Sequence, residues 1–214
     1  MIGLIDSGMG GINAHRELHK LLPEESLLLL TDYAAAPYGT KSREALIEIA
    51  EENIARFRRF GAERVLIACC TLSSLFSELS KEAREIAIPI IAPTAEAATA
   101  ASPAGRVAVI ATEATVRSHA FKEALGDACA LEMPASKLVG ICEAGGGSHP
   151  DAKREIALLT AAAAESGADT LILGCTHFHT LLKEFVRVGE KAGITKIISS
   201  AREGARELKR ILHR

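Results

Sequence analysis

The sequence predicts an α/β fold made of two similar half-domains, each a mainly parallel sheet flanked by helices. Three observations carry this. Short, almost wholly apolar runs alternate with amphipathic helical stretches, as in parallel sheets covered on both faces. The chain also repeats itself: Val65-Leu-Ile-Ala-Cys-Cys-Thr71 echoes Thr170-Leu-Ile-Leu-Gly-Cys-Thr176, and Ile2-Gly-Leu-Ile-Asp-Ser echoes Val107-Ala-Val-Ile-Ala-Thr112. With 214 residues, 48% of them hydrophobic, the chain can bury one large core or two small ones.

The predicted strands are Ile2–Ile5, Leu27–Thr31, Arg64–Cys69, Ile88–Ala92, Arg106–Ala111, Cys129–Met133, Thr170–Gly174 and Lys196–Ser199. Glu44–Phe60 reads as a helix because Leu46, Ile49, Ile54, Phe57 and Phe60 recur three to five apart with charges between them. Ser73–Ile86, Ser118–Leu125, Asp151–Ser166, Leu181–Ala192 and Ala201–Leu212 follow the same pattern. Pro93, Pro103 and Gly105 punctuate the middle, and Gly145–Gly147 marks a loop. The expected division is residues 1–94 plus 199–214 for one half and 95–198 for the other, the last helix returning to the first half.

Composition narrows the function. With 25 basic and 27 acidic residues, no basic excess exists to neutralise phosphates, so no nucleic-acid partner is expected. The absence of Trp, with two Tyr and six Phe, argues against base-stacking platforms. Uncharged stretches reach only about thirteen residues, against about 18 for a membrane helix, and the N-terminus lacks signal-peptide character. A cytoplasmic protein with no membrane partner is expected. Its five cysteines are then free thiols rather than a disulfide framework.

Ligands of open parallel sheets bind beyond the carboxyl ends of the strands. There the sequence places Asp6-Ser7-Gly8-Met9-Gly10-Gly11, Asp32 with Pro37-Tyr38-Gly39-Thr40, Cys69-Cys70-Thr71, Thr112 with Thr115, and Cys175-Thr176-His177. The glycine loop lacks the dinucleotide fingerprint, since Asn13 stands where the third glycine belongs, and it has no Walker lysine. It reads as a tight strand-to-helix turn whose free N–H groups can hold an anion. Cys69 and Cys175 each lie between a strand end and a helix start, where a thiol pKa is expected to fall. Either alone could be a buried small hydrophobe; the pair in matched contexts points to chemistry. Cys175, His177 and His179 could be metal ligands with Cys69 or Cys70, but no C-x-x-C pair exists and the spacing fits no zinc framework. No metal is expected. His179 reads as a surface or capping residue.

Four of these segments in order, Asp6–Gly11, Pro37–Ser42, Ala68-Cys69-x-Thr71 and Leu173–His177, resemble the motifs of glutamate racemase in the cofactor-independent aspartate/glutamate racemase superfamily. Asp32, Ala111–Thr115 and Ser199–Ala201 fit too, and the Gly-Cys-Thr-His form resembles the glutamate branch. The resemblance implies a substrate cleft between the half-domains and interconversion of L- and D-glutamate, with D-glutamate serving peptidoglycan and cell-wall synthesis. It implies no cofactor and a small amino-acid or dicarboxylate substrate, and leaves a homodimer as a candidate assembly. Cys69 and Cys175 would be acid/base thiols on opposite faces of the substrate, assisted by the carboxylates Asp6 and Glu143 and the imidazole of His177. Glu143 rests on a Glu-x-Gly pattern alone. Asp6, Ser7, Tyr38, Gly39, Cys70, Thr71, Thr112, Thr115, Thr176 and His177 would contact substrate.

The chain departs from the pattern at Cys70, where the family carries a substrate-binding Asn, and it is short for the family. A thiol cannot reproduce an amide's hydrogen bonds. Two other readings therefore stand beside racemisation of glutamate. One is a relative acting on aspartate or another small diacid, as isomerase or decarboxylase. The other is an inactive ligand-binding paralogue.

Overall fold

The computed structural model describes residues 1–213. In chain order the elements are β1 (Ile2–Asp6), α1 (Gly10–Leu21), β2 (Leu27–Thr31), α2 (Arg43–Arg59), β3 (Arg64–Ile67), α3 (Cys70–Ser73), α4 (Lys81–Ile86), β4 (Ala87–Pro89) and α5 (Ile91–Ala101). They continue as β5 (Val107–Ala111), α6 (Glu113–Arg117), α7 (Ala120–Leu125), β6 (Cys129–Pro134), α8 (Ser136–Glu143), α9 (Ala152–Glu165), β7 (Thr170–Gly174), α10 (Leu182–Ala192), β8 (Lys196–Ser199) and α11 (Ser200–Leu212). They build two four-stranded sheets, ordered β2-β1-β3-β4 and β6-β5-β7-β8, parallel throughout. The two orders superpose, so β1 corresponds to β5 and β3 to β7. These are the pairs whose sequences echo each other.

The central strands β1, β5 and β7 are buried along their whole length, which explains their continuous apolar runs. One core joins the inner faces of the two sheets, with Leu4, Leu66, Val109 and Ile172 in the same cluster as Ala98 and Leu208 from α5 and α11. The outer faces carry separate cores, Phe57 and Ile67 on one side and Phe178 and Phe185 on the other. α11 packs against α1 and α5. No helix among the described residues is long and apolar enough to cross a membrane.

Three expected elements differ. The helix over 73–86 is broken into α3, a 3-10 turn at Phe76–Glu78, and α4. Ser80 causes the break, because its hydroxyl accepts from the Ala83 N–H as an N-cap while Glu51 takes its own N–H and O–H. The strand over 88–92 shrinks to Ala87–Pro89, because the N–H groups of Ile90 and Ile91 turn to the Ser73 hydroxyl. Pro93 sits in the first turn of α5, where no intrahelical donor is needed. The division at 94/95 therefore falls within a helix rather than a linker. Gly145–Gly147, expected as a loop, runs into a 3-10 turn at Gly146–Ser148, with Gly145 at φ +124°.

Candidate active site

The carboxyl ends of β1, β3, β5 and β7 converge on one cavity of about 340 Å³. Its lining includes Ser7, Tyr38, Gly39, Cys69, Cys70, Thr71, Thr112, Thr115, Cys175, Thr176 and His177. Asp6 and Glu143 lie behind this lining. α8 supplies a further wall of Ser136, Val139 and Gly140, which the sequence reading missed. The spacing carried the signal: Ser136, Val139 and Gly140 stand seven, four and three residues before Glu143, on one helical face. Among the described residues no Lys or Arg lines the cavity, so an anionic ligand must be held by hydroxyl and backbone donors.

The two thiols sit in matched positions, Cys69 two residues past β3 and Cys175 directly after β7. Both are nearly sealed, at 7% and 8% exposure. Burial pushes the Cys69 thiol up to about 11, reinforced by the Asp6 carboxylate and partly offset by the N–H groups of Leu72 and Thr71 and the Ser7 hydroxyl. Burial holds Cys175 well above the ordinary thiol range, with Cys70, Cys69 and Asp6 adding to it and the His177 N–H opposing. The expected depression of these pKa values is thus reversed. The helix after Cys69 has only four residues and Cys175 opens onto a 3-10 stretch, Thr176–Leu181. Neither supplies a full helix dipole to offset desolvation.

Asp6 is fully buried. One oxygen accepts from the Gly8 N–H at 3.0 Å, and the other accepts the Thr176 hydroxyl at 2.8 Å. Burial raises its pKa, opposed by His177. His177 places Nδ1 3.7 Å from Cys175 Sγ and Nε2 3.2 Å from Glu143 Oε1. The second contact is close but not aligned as a hydrogen bond. The imidazole therefore spans from the thiol to a half-exposed carboxylate. Across the cavity, the hydroxyls of Thr71, Thr112 and Thr115 form a triangle with sides of 2.9 to 3.1 Å. It ties the end of β3 to the end of β5. Tyr38 turns its hydroxyl away from the cavity to donate to Asp32 at 3.0 Å. Cys70 belongs to both the cavity wall and the inter-sheet core, and its nearest polar neighbour is the buried Ser200 hydroxyl.

The glycine loop serves close packing. A Cβ on Gly11 would stand 2.6 Å from the Asp6 Cβ, and one on Gly10 would overlap the Thr176 hydroxyl. Bare backbone there lets α1 close onto the Thr176–His177 turn. Asn13 donates across this seam to the Thr176 carbonyl at 2.9 Å. His179, expected at the surface, is instead partly buried, 2.7 Å from the Ser199 hydroxyl and 3.6 Å from Glu17.

Comparison with known proteins agrees with this architecture. The family model described as Asp/Glu/Hydantoin racemase matches residues 12–208. The glutamate racemase of Koribacter versatilis is 37% identical over 214 residues, covering 97% of this chain and 73% of that one. That of Picosynechococcus sp. is 36% identical over 185 residues, 84% of this chain and 66% of its own. The present chain thus spans about two thirds to three quarters of their length. The crystal structure of glutamate racemase isoform RacE1 from Bacillus anthracis aligns over 100% of this chain and 81% of its own, with a TM-score of 0.87 at 28% identity. Glutamate racemase from Francisella tularensis, solved with D-glutamate, gives 0.86 at 25% identity over 99% of this chain and 80% of that one. The chain belongs to the Asp/Glu/hydantoin racemase family and, within it, to the glutamate racemases.

Proposed function

We propose that this protein interconverts L- and D-glutamate by proton transfer between Cys69 and Cys175, without a cofactor, and so supplies D-glutamate for cell-wall synthesis. The observation that carries the reading is the pair of thiols, on equivalent strands of two superposable sheets, lining one cavity. Inversion at Cα needs a proton removed from one face and returned on the other. Two fixed thiols, one ionised and one neutral, do this without either swinging around the substrate.

The thiolate on one face takes the Cα proton, and the resulting carbanion takes a proton from the thiol on the other face. The enzyme is left with the two protonation states exchanged, ready for the reverse reaction. The Ser7 hydroxyl and the backbone N–H groups after Cys69 stabilise a thiolate at that position. His177, backed by Glu143, does so beside Cys175. Substrate carboxylates would be held by the Thr71–Thr112–Thr115 hydroxyls and the N–H groups opening α6. The substrate's ammonium group supplies a positive charge close to whichever sulfur is ionised.

The test is chiral analysis of either glutamate enantiomer incubated with the protein over a range of pH. Both thiols are held protonated at neutral pH, so the active form grows as pH rises. kcat/KM is expected to climb about tenfold per pH unit from pH 7, its falling limb lying above the Cys69 value of about 11. A maximum at pH 6 to 7 would contradict the thiol assignment, and the absence of interconversion at any pH would overturn the function.

Cys70 favours a second reading, a site adjusted to a different small diacid. A hydrogen bond to a charged group contributes about 1.5–3 kcal/mol, or one to two orders of magnitude. Cys70→Asn supplies amide donors to the cavity and to Ser200. It is expected to raise kcat/KM for glutamate by about tenfold or more. Unchanged glutamate kinetics would show that this position makes no substrate contact. Impaired glutamate kinetics would favour the altered-substrate reading.

A further inference from the structure

We infer that Asn13 is a positioning residue that sets where the second thiol stands relative to the first. The inference rests on the two-thiol reading above and deepens it. Asn13 occupies the point where the glycine loop departs from a nucleotide-binding pattern, and its side chain does something different. The two hydrogens of its single Nδ2 are both used, one donated to the Thr176 carbonyl at 2.9 Å and one to the Thr180 hydroxyl at 3.1 Å. Thr176 and Thr180 lie in the 3-10 stretch Thr176–Leu181 that begins directly after Cys175. Gly10 stands one helical turn before Asn13, on the same face of α1. Its missing side chain admits the Thr176–His177 backbone, and Asn13 then grips what has been admitted.

The Thr176 hydroxyl is in turn held by Asp6 at the end of β1. The segment leaving Cys175 is therefore fixed at three points, by Asp6 and twice by Asn13, and both residues belong to the β1–α1 unit. That unit also borders Cys69, since the Ala68 and Cys69 N–H groups both donate to the Ile5 carbonyl. One rigid unit thus references both thiols. Releasing the Asn13 clamp loosens the Cys175 side and leaves the Cys69 side in place.

A one-sided reaction distinguishes this from a general loss of stability. From a glutamate analogue carrying chloride on Cβ, one thiolate takes the Cα proton, the C–H electron pair forms the Cα–Cβ double bond, and chloride leaves with its bonding pair. Each enantiomer of the analogue presents its Cα–H to only one thiol. Cys175→Ala identifies the enantiomer served by Cys175, as the one whose elimination it abolishes. Asn13→Ala keeps α1 intact, because alanine is the best helix former. It is expected to slow elimination from that enantiomer on the order of tenfold, the scale of a sub-ångström misplacement. Elimination from the other enantiomer should change less than about twofold, and kcat for glutamate racemisation should fall with the slower side. Thr180→Val removes one of the two bonds and is expected to shift the same ratio by a smaller factor. Equal slowing of both enantiomers, or an unchanged ratio in both variants, overturns the positioning role. A wild-type protein that neither racemises glutamate nor eliminates chloride overturns the two-thiol reading itself, and the inference with it.

Discussion

Cys69→Ala and Cys175→Ala are each expected to reduce glutamate racemisation on the order of 10²–10⁴-fold, the contribution of a positioned proton-transfer group. The losses should not add in the double variant, since a two-sided reaction already fails when one side is missing. Both variants should remain folded. Each thiol is a small buried side chain without a buried partner that would be left stranded. Its removal costs about the transfer energy of a single methylene-sized group, roughly 1 kcal/mol. Racemisation by purified variants, with thermal denaturation in parallel, checks this. Activity within tenfold of wild type in either variant would show that the reaction does not need that thiol.

Gly10→Ala is expected to be the most damaging single-methyl change near the site. The added Cβ would overlap the Thr176 hydroxyl and stand 2.7 Å from His177 Nδ1 and 2.9 Å from the His177 backbone nitrogen. None of these can move freely. The hydroxyl is bonded to buried Asp6, and the backbone belongs to the turn that carries Cys175. Overpacking of this kind costs about 1–3 kcal/mol, which for a chain of this length lowers Tm by roughly 2–12 °C. The larger effect is catalytic. A shift of about 1 Å in the Cys175–His177 turn is expected to lower kcat about 100-fold. Steady-state kinetics and a melting curve measure both, and wild-type kcat would show that α1 and the turn are not in rigid contact.

Much of this was legible in the sequence because it follows from local pattern. Runs such as Leu4-Ile5 and Leu171-Ile172-Leu173 are apolar on both faces since both faces are covered, and the echo of β3 in β7 reports two sheets with one strand order. The strand-end rule then brought Cys69, Cys175 and the threonines to one edge. The failures have a common origin in long-range contacts. Ser80 ends a helix pattern through Glu51 on α2, and Ser73 withdraws Ile90 and Ile91 from a strand. The thiol pKa values were misjudged because burial is a property of the assembled cavity, whereas a strand-to-helix junction can be read locally. Asn13 looked like a missing glycine, because its partners Thr176 and Thr180 are more than 160 residues away. The α8 wall was overlooked although its helical spacing from Glu143 was present in the sequence.

The central claim, proton transfer between two fixed thiols, is tested most directly by running the reaction in deuterium oxide and stopping it at low conversion. From either enantiomer of glutamate, the inverted product should carry one deuterium at Cα, delivered from the thiol on the far face. The remaining substrate should still carry its original hydrogen. Inverted product that keeps the substrate's own hydrogen would contradict the account, because one base would then have carried the proton around the molecule. Release of carbon dioxide in place of inversion would contradict it equally, by assigning the thiols to a different reaction.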